Sequence, residues 1–369
     1  MIHRRAFLLA PALALAHCRH RKSAGFFGYA FVANEDGQAI AAVDLTTFTV
    51  ARHIRLDGSP NAVLAHPSAV YALTPNTGTV HQIGVTDLSF HRKIQVARTA
   101  VSMRLAPDAA AIWVLCREPR RLVRLALDTF RTDAHLNLPL EPVDFDLAPP
   151  GQWAAISFGP AGAVAFADLS ARRSERPIAL GKSVSTLRFR SDGRQLLVAN
   201  TAERMLSILE APTGRLIVHL PLAVRPENFC FKSDGGQLFV TGEGMDAVVV
   251  VYPYSTEIAE TFLAGKAPAA MATSQAYLFV ANPPSGDVTI VDIETRRAIA
   301  VVAVGGGPGF ITVTPDDQYA LALNPQSGNM AVIRIETIKA ARTGRDKSAS
   351  LFTMIPVGSK PVSAVVRRV

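Results

Sequence analysis

Residues 275–317 read QAYLFVANPPSGDVTIVDIETRRAIAVVAVGGGPGFITVTPDD. Four apolar runs stand out: Tyr277–Ala281, Asp287–Ile293, Arg297–Val304 and Phe310–Thr314. Each is too short for a helix, rich in Val, Ile and Phe, and lacks a 3.6-residue period. The breaks between them hold Pro-Pro-Ser-Gly, Glu-Thr-Arg and a Gly-Gly-Gly-Pro-Gly run, which are turn chemistry. The stretch therefore predicts four short antiparallel strands in about 42 residues.

The unit recurs. Strands ending in asparagine close at Asn34, Asn200, Asn282 and Asn324, which are 166, 82 and 42 residues apart. Turns keep the same interval: Pro67, Pro107, Pro149, Ser191 and Ser233 follow one another at steps of 40, 42, 42 and 42 residues. Ser274 and Pro315 continue the series. A four-stranded repeat of this length is the size of a propeller blade.

The Val-Ala-Asn strand end, the Val-Thr-Ile-Val-Asp strand, the Arg-Arg-Ala-Ile strand and the Gly-x-x-Pro loop of this unit together resemble the YVTN-type β-propeller repeat proteins, including the YncE-like and lactonase-like groups. The likeness covers residues 29–369 and implies an all-β propeller. Seven turns join an inner strand to its successor, and an eighth inner-type segment, Lys360–Arg368, ends the chain. The chain meanwhile enters at Tyr29 on a second strand with no inner strand before it. Eight four-stranded blades are expected, with seven as the alternative, and the C-terminal strand should pair with the N-terminal blade so that no edge stays open at the seam. Eight blades also occur in d1-haem-type propellers, but no residue here identifies an axial ligand, and no cofactor is expected.

The 369 residues are 49% hydrophobic and 18% charged, which excludes a disordered chain. No apolar run reaches the roughly 18 residues of a membrane span. Residues 1–18, MIHRRAFLLAPALALAHC, read as a secretory signal. Arg4-Arg5-Ala6-Phe7-Leu8 resembles a twin-arginine signature, and Leu15-Ala16-His17-Cys18 a lipobox with Cys18 as the lipidated residue. His17 departs from the small residue such a box carries. Residues 19–28 read as a basic tether and 29–369 as the propeller. The expected place is the periplasm, or the outer side of the cytoplasmic membrane or the outer membrane through that N-terminal anchor alone. The three cysteines supply no disulfide framework, and Cys116 and Cys230 fall in separate blades, which predicts buried free thiols.

A net charge of +8 favours anionic partners. It is spread along the chain with no basic helix, so nucleic acid is not expected. In a propeller, the loops entering the inner strands share one face with those joining second to third strands. Cations recur in the first set: Arg98, Lys182, Arg225, Lys266 and Lys360, with Glu141 and Glu227 as counter-charges. Around one channel mouth they would form a ligand site for an anionic small molecule, a glycan or an envelope protein, on a monomer. The competing reading is ordinary solvated loop charge. The second set carries Asn34, Glu35, Asp36, Asn76, Arg117, Glu118, Asn200, Glu203, Glu243, Asn282 and Asn324. These could hold Ca²⁺, as a lactonase would need. Asparagines that recur once per blade are better read as bonding turn backbone, and no metal is expected.

No histidine pair has metal spacing, and there is no nucleophile elbow or phosphate loop. His66 stands out as an irregular residue at an inner-strand turn. The basic stretch 336–350 predicts a partly helical, tolerated loop insertion. Two readings follow: an exported scaffold or binding protein, or a lactonase-like hydrolase of a sugar lactone. The first is favoured because the polar residues are periodic.

Overall fold

The computed structural model describes residues 25–342 and 351–369. The expected signal, the expected lipidation at Cys18 and the expected tether up to residue 24 lie outside them. Eight sheets are present, seven of them four-stranded and the fourth with a divided outer strand. The seven-blade alternative is thereby dropped. The inner strands are Pro361–Arg368, Ala62–Ala65, Thr99–Leu105, Asp144–Leu147, Val184–Phe189, Arg225–Phe231, Met271–Thr273 and Phe310–Val313, for blades 1 to 8 in that order. Each touches the next, and the eighth touches the first, so they line a central channel.

The seam closes as the repeat count requires. Strand Gly28–Asn34 pairs antiparallel with Pro361–Arg368, from Gly28 opposite Arg368 to Ala33 opposite Ser363. The chain is packed slightly earlier than the sequence predicts. Phe26, assigned to the tether, is buried against Tyr319, Leu321 and Val366. An aromatic ring two residues ahead of a strand is enough to bring the entry segment into the core.

The core is not one mass but a set of wedges between neighbouring blades. Trp113 and Leu115 of blade 3 meet Phe145, Ile156 and Phe158 of blade 4, for example. Second and third strands are buried along nearly their whole length, because each sheet is covered on both faces; this is why they read as continuous apolar runs and not as alternating ones.

Outer strands are mostly exposed, and in seven blades a register shift sits near the start of the third-to-outer ladder or within it. In blades 1, 3, 4, 6 and 7 the turn before the outer strand ends in a non-glycine residue at positive φ: Phe48, Phe130, Arg172, Thr256 and Arg296 at 57°, 54°, 52°, 56° and 57°. That turn plus bulge supplies the strong twist of a blade's rim. Blade 4 departs most. Its outer strand is cut into Arg173–Ser174 and Ile178–Ala179. Pro177, with no N–H to give the ladder, stands at the break.

The insertion of blade 8 begins as a helix, Ile335–Arg342. Ile335 and Ile338 are buried in the wedge between blades 7 and 8, so this part is docked and not a free loop. Residues 343–350 lie outside the described residues. Cys116, in the second strand of blade 3, is buried, and burial pushes its thiol up to about 12. Cys230 is only half-buried, because it sits on an inner strand where the wall meets the channel; the expectation of burial is corrected there.

Candidate functional site

The linkers into inner strands and the loops joining second to third strands do share one face, the mouth. Lys360 of one set lies 2.8 Å from Glu35 and 3.9 Å from Asp36 of the other.

The recurring asparagines are structural: Asn200 Oδ1 accepts the Glu203 N–H of its own turn at 3.4 Å, as expected, and the amide nitrogens reach further, to the linkers. Asn34 Nδ2 donates to Val357 O at 2.8 Å, Asn200 to Leu180 O at 3.0 Å and Asn324 to Val304 O at 2.6 Å. Each carbonyl precedes a glycine in the linker that enters the same blade. Backbone and amide approach so closely that a Cβ on Gly181 would lie 2.4 Å from Asn200 Nδ2. Asn282 turns instead to Asp287 and Thr289, at 2.7 and 2.8 Å. In blades 1, 5, 7 and 8 this Asn–Gly contact therefore pins the linker of the inner strand to its sheet, which explains the period of both residues. Among the described residues, no group of three or more His, Cys, Asp or Glu is set to hold a metal ion.

The cations of the mouth do not make a uniform positive ring. Arg98 faces Glu118 at 3.7 Å, Arg225 faces Glu243 at 3.6 Å, and Glu141 is taken by Arg117 at 3.0 Å. The Lys182 backbone N–H donates to Glu203 at 2.9 Å, and Ala267, next to Lys266, donates to Asp246 at 2.8 Å. Arg98, Arg225 and Lys360 are each paired with a carboxylate at a second-to-third connection, whereas beside Lys182 and Lys266 the carboxylates bond the linker backbone. The mouth thus presents interleaved charge.

Two cavities open there. One, of about 430 Å³, is lined by Ser183, Ser185, Thr201, Arg225, Glu227 and Glu243. Its neighbour, of about 410 Å³, shares Glu227 and Glu243 and adds Asp246 with Met245 and Pro268. Of the residues expected at the site, Arg225 and Glu227 line these cavities, and Lys182 and Lys266 adjoin them in sequence. Arg98 and Glu141 stand on blades 3 and 4, and Lys360 on blade 1. Burial and the nearby Glu243 carboxylate raise the Glu227 acid above its usual range, with Arg225 opposing.

Sequence reasoning missed the channel wall below the mouth. Asp144 accepts from Arg188 at 2.7 Å, from Thr186 at 2.9 Å and from Arg104 at 3.3 Å. Asp146 accepts the Phe189 N–H at 2.9 Å, with Arg104 4.0 Å away. Burial would push Asp144 up, but Arg188 and Arg104 outweigh it and hold the acid low; burial wins at Asp146, which is raised. At the equivalent ladder position other blades carry Leu64, Cys230, Ala272, Thr312 and Val365. Charge at this position is confined to blades 3 to 5. In the same blades Thr99 Oγ1, Ser102 Oγ and Ser185 Oγ are buried without a hydrogen-bond partner, as is Glu203 Oε2. Laying the inner strands over one another would have shown Arg104, Asp146 and Arg188, each three residues before its turn.

No protein-family model matches the chain, and no curated protein matches it. Solved structures do. The chain is similar to the dihydro-heme d1 dehydrogenase NirN in complex with DHE, at 14% identity over 94% of this chain and 76% of that one, with a TM-score of 0.75. It is similar to apo AztD from Citrobacter koseri, at 14% identity over 92% and 98% of the two chains, with a TM-score of 0.69. Hydrazine synthase of Kuenenia stuttgartiensis follows at 16% identity, 74% and 95% coverage and a TM-score of 0.59. At such identities the likeness is one of fold.

Proposed function

We propose that the chain is an exported propeller of the YVTN-repeat type that acts as a binding protein, taking a hydroxyl-rich ligand, a glycan or similar polar molecule, at the mouth between blades 5 and 6. The observation that carries this is the cavity of about 430 Å³ lined by Ser183, Ser185, Thr201, Arg225, Glu227 and Glu243, in which the Ser185 hydroxyl is buried without a partner. A buried hydroxyl costs free energy until it is bonded, and native proteins leave few of them so. The lining offers acceptors, donors and one guanidinium at close range. That set suits sugar hydroxyls better than a bare anion, because Glu227 and Glu243 would repel one.

The test is calorimetry of the purified chain against neutral and acidic oligosaccharides, with Glu227→Gln and Arg225→Gln as variants. The expected result is binding that either substitution weakens about tenfold, the worth of one charged hydrogen bond. Saccharide affinity equal in both variants and the native chain would remove the cavity from consideration. The same samples assayed with a sugar lactone test the hydrolase reading: turnover lost in Glu227→Gln would replace binding by catalysis.

A further inference from the structure

On the face opposite the mouth, the cleft between blades 2 and 3 encloses about 590 Å³. His66, the irregular turn residue, forms part of its wall and is fully engaged. The Ser68 N–H donates to Nδ1 at 3.2 Å, so Nδ1 is the acceptor, and Nε2–H is left to donate to Ala109 O at 3.1 Å. His66 is thus a clamp between the first turns of two blades. It shapes the cleft and needs no ligand.

The ligand-seeking groups run from the buried Tyr71 through the half-buried Gln82 to the exposed Arg92. Arg92 Nε donates to Gln82 Oε1 at 2.6 Å. Arginine can only donate, so the amide oxygen must face it, and the Gln82 NH₂ then donates to the Tyr71 phenol oxygen at 3.2 Å. The three side chains form a directed chain whose last hydrogen, on Tyr71, has no acceptor among the described residues. Tyr71 is 1% exposed, where an unused donor is costly. Arg92 lies 4.4 Å from the Phe130 ring centroid and reaches Leu127 O at 3.4 Å; it has no carboxylate partner among the described residues. Arg124 of the same cleft is already neutralised by Asp133.

We propose that this cleft binds a small organic carboxylate. One carboxylate oxygen accepts the Tyr71 O–H, the other accepts a free N–H of Arg92, and the hydrocarbon part rests on Ala110, Ala126 and Leu127. A planar two-oxygen anion fits a phenol and a guanidinium side by side. A phosphate dianion fits less well, since Asp128 and Asp133 also line the cleft and would face its second charge. The corresponding cleft between blades 3 and 4 is smaller, about 350 Å³, and is walled by Trp113, Pro107 and Pro150.

Benzoate and inorganic phosphate titrated into the full mature protein, read by calorimetry and by thermal shift, decide the matter. Benzoate should bind and raise the melting temperature by mass action, with phosphate clearly weaker. Tyr71→Phe keeps the ring and removes only the hydroxyl; it and Arg92→Gln should each weaken benzoate about tenfold. Melting of each variant without ligand separates lost binding from lost folding, and saccharide binding at the mouth should be untouched in both. Absence of any benzoate signal overturns the proposal. So does equal affinity in the native protein and the two variants, or phosphate binding as tight as benzoate.

Discussion

His81 shows how one side chain can set a pH limit on the whole fold. It is fully buried in blade 2, with Nε2 3.1 Å from Thr74 Oγ1 and 3.5 Å from Asp57, while Nδ1 is enclosed without a partner. Burial lowers its pKa; Asp57 pulls the other way and Lys93 adds to the lowering. With the folded value below 6.5, the unfolded chain takes up the proton first as pH falls. Stability from this group is therefore complete above about pH 6.5 and is lost as pH drops from there through the folded value. Urea midpoints at pH 7.5 and 5.5 should fall for the native chain and fall less for His81→Gln. Equal slopes in the two proteins would show that other groups carry the acid sensitivity. Nothing in the sequence around His81 signals this, because its environment comes from Asp57 in a linker and Thr74 in the neighbouring strand.

At the level of strands and blades, the charged arc of blades 3 to 5 stands where the other inner strands carry uncharged side chains. Asp144, 15% exposed at its side chain, carries two guanidinium groups that are themselves about 30% exposed. A half-buried network of this kind adds little over apolar packing when whole, and its rupture is costly because unpaired charge stays behind. Asp144→Asn should lower unfolding free energy by about 3 kcal/mol, read from urea curves; a loss under about 0.5 kcal/mol would mean the arginines find solvent unaided.

The strands themselves were legible, since each blade repeats the same apolar runs and turn residues. The eight blades and their closing strand follow from counting turns. The arc was not, because a search for what recurs passes over residues that occur in three blades only. The docked helix Ile335–Arg342 was half legible: its helical stretch shows in the sequence, but burial of Ile335 and Ile338 depends on the wedge they enter.

For the molecule as a wheel, closure and attachment meet in blade 1. Removing residues 361–369 would strip the inner strand from that blade, uncover the edge of Gly28–Asn34 and open the ring. An unpaired central edge invites association with other chains. The shortened chain should aggregate or melt well below the full one, by scattering and calorimetry; an unchanged melting temperature would show that the seam is dispensable. The same blade fixes how an anchored protein would face. Gly25 lies against Leu45 and Thr46, in the third-to-outer turn, on the side opposite the mouth. From Cys18 to Gly25 the chain can reach at most about 25 Å. If Cys18 carries lipid, that side is held near the bilayer and the mouth looks away from it. Cys18→Ser should then move the protein from the membrane to the soluble fraction. In the anchored form an amine reagent confined to the aqueous phase should label the exposed Lys182 and Lys266 as fast as in the released form. Slower labelling of those two lysines in the anchored form would reverse the orientation.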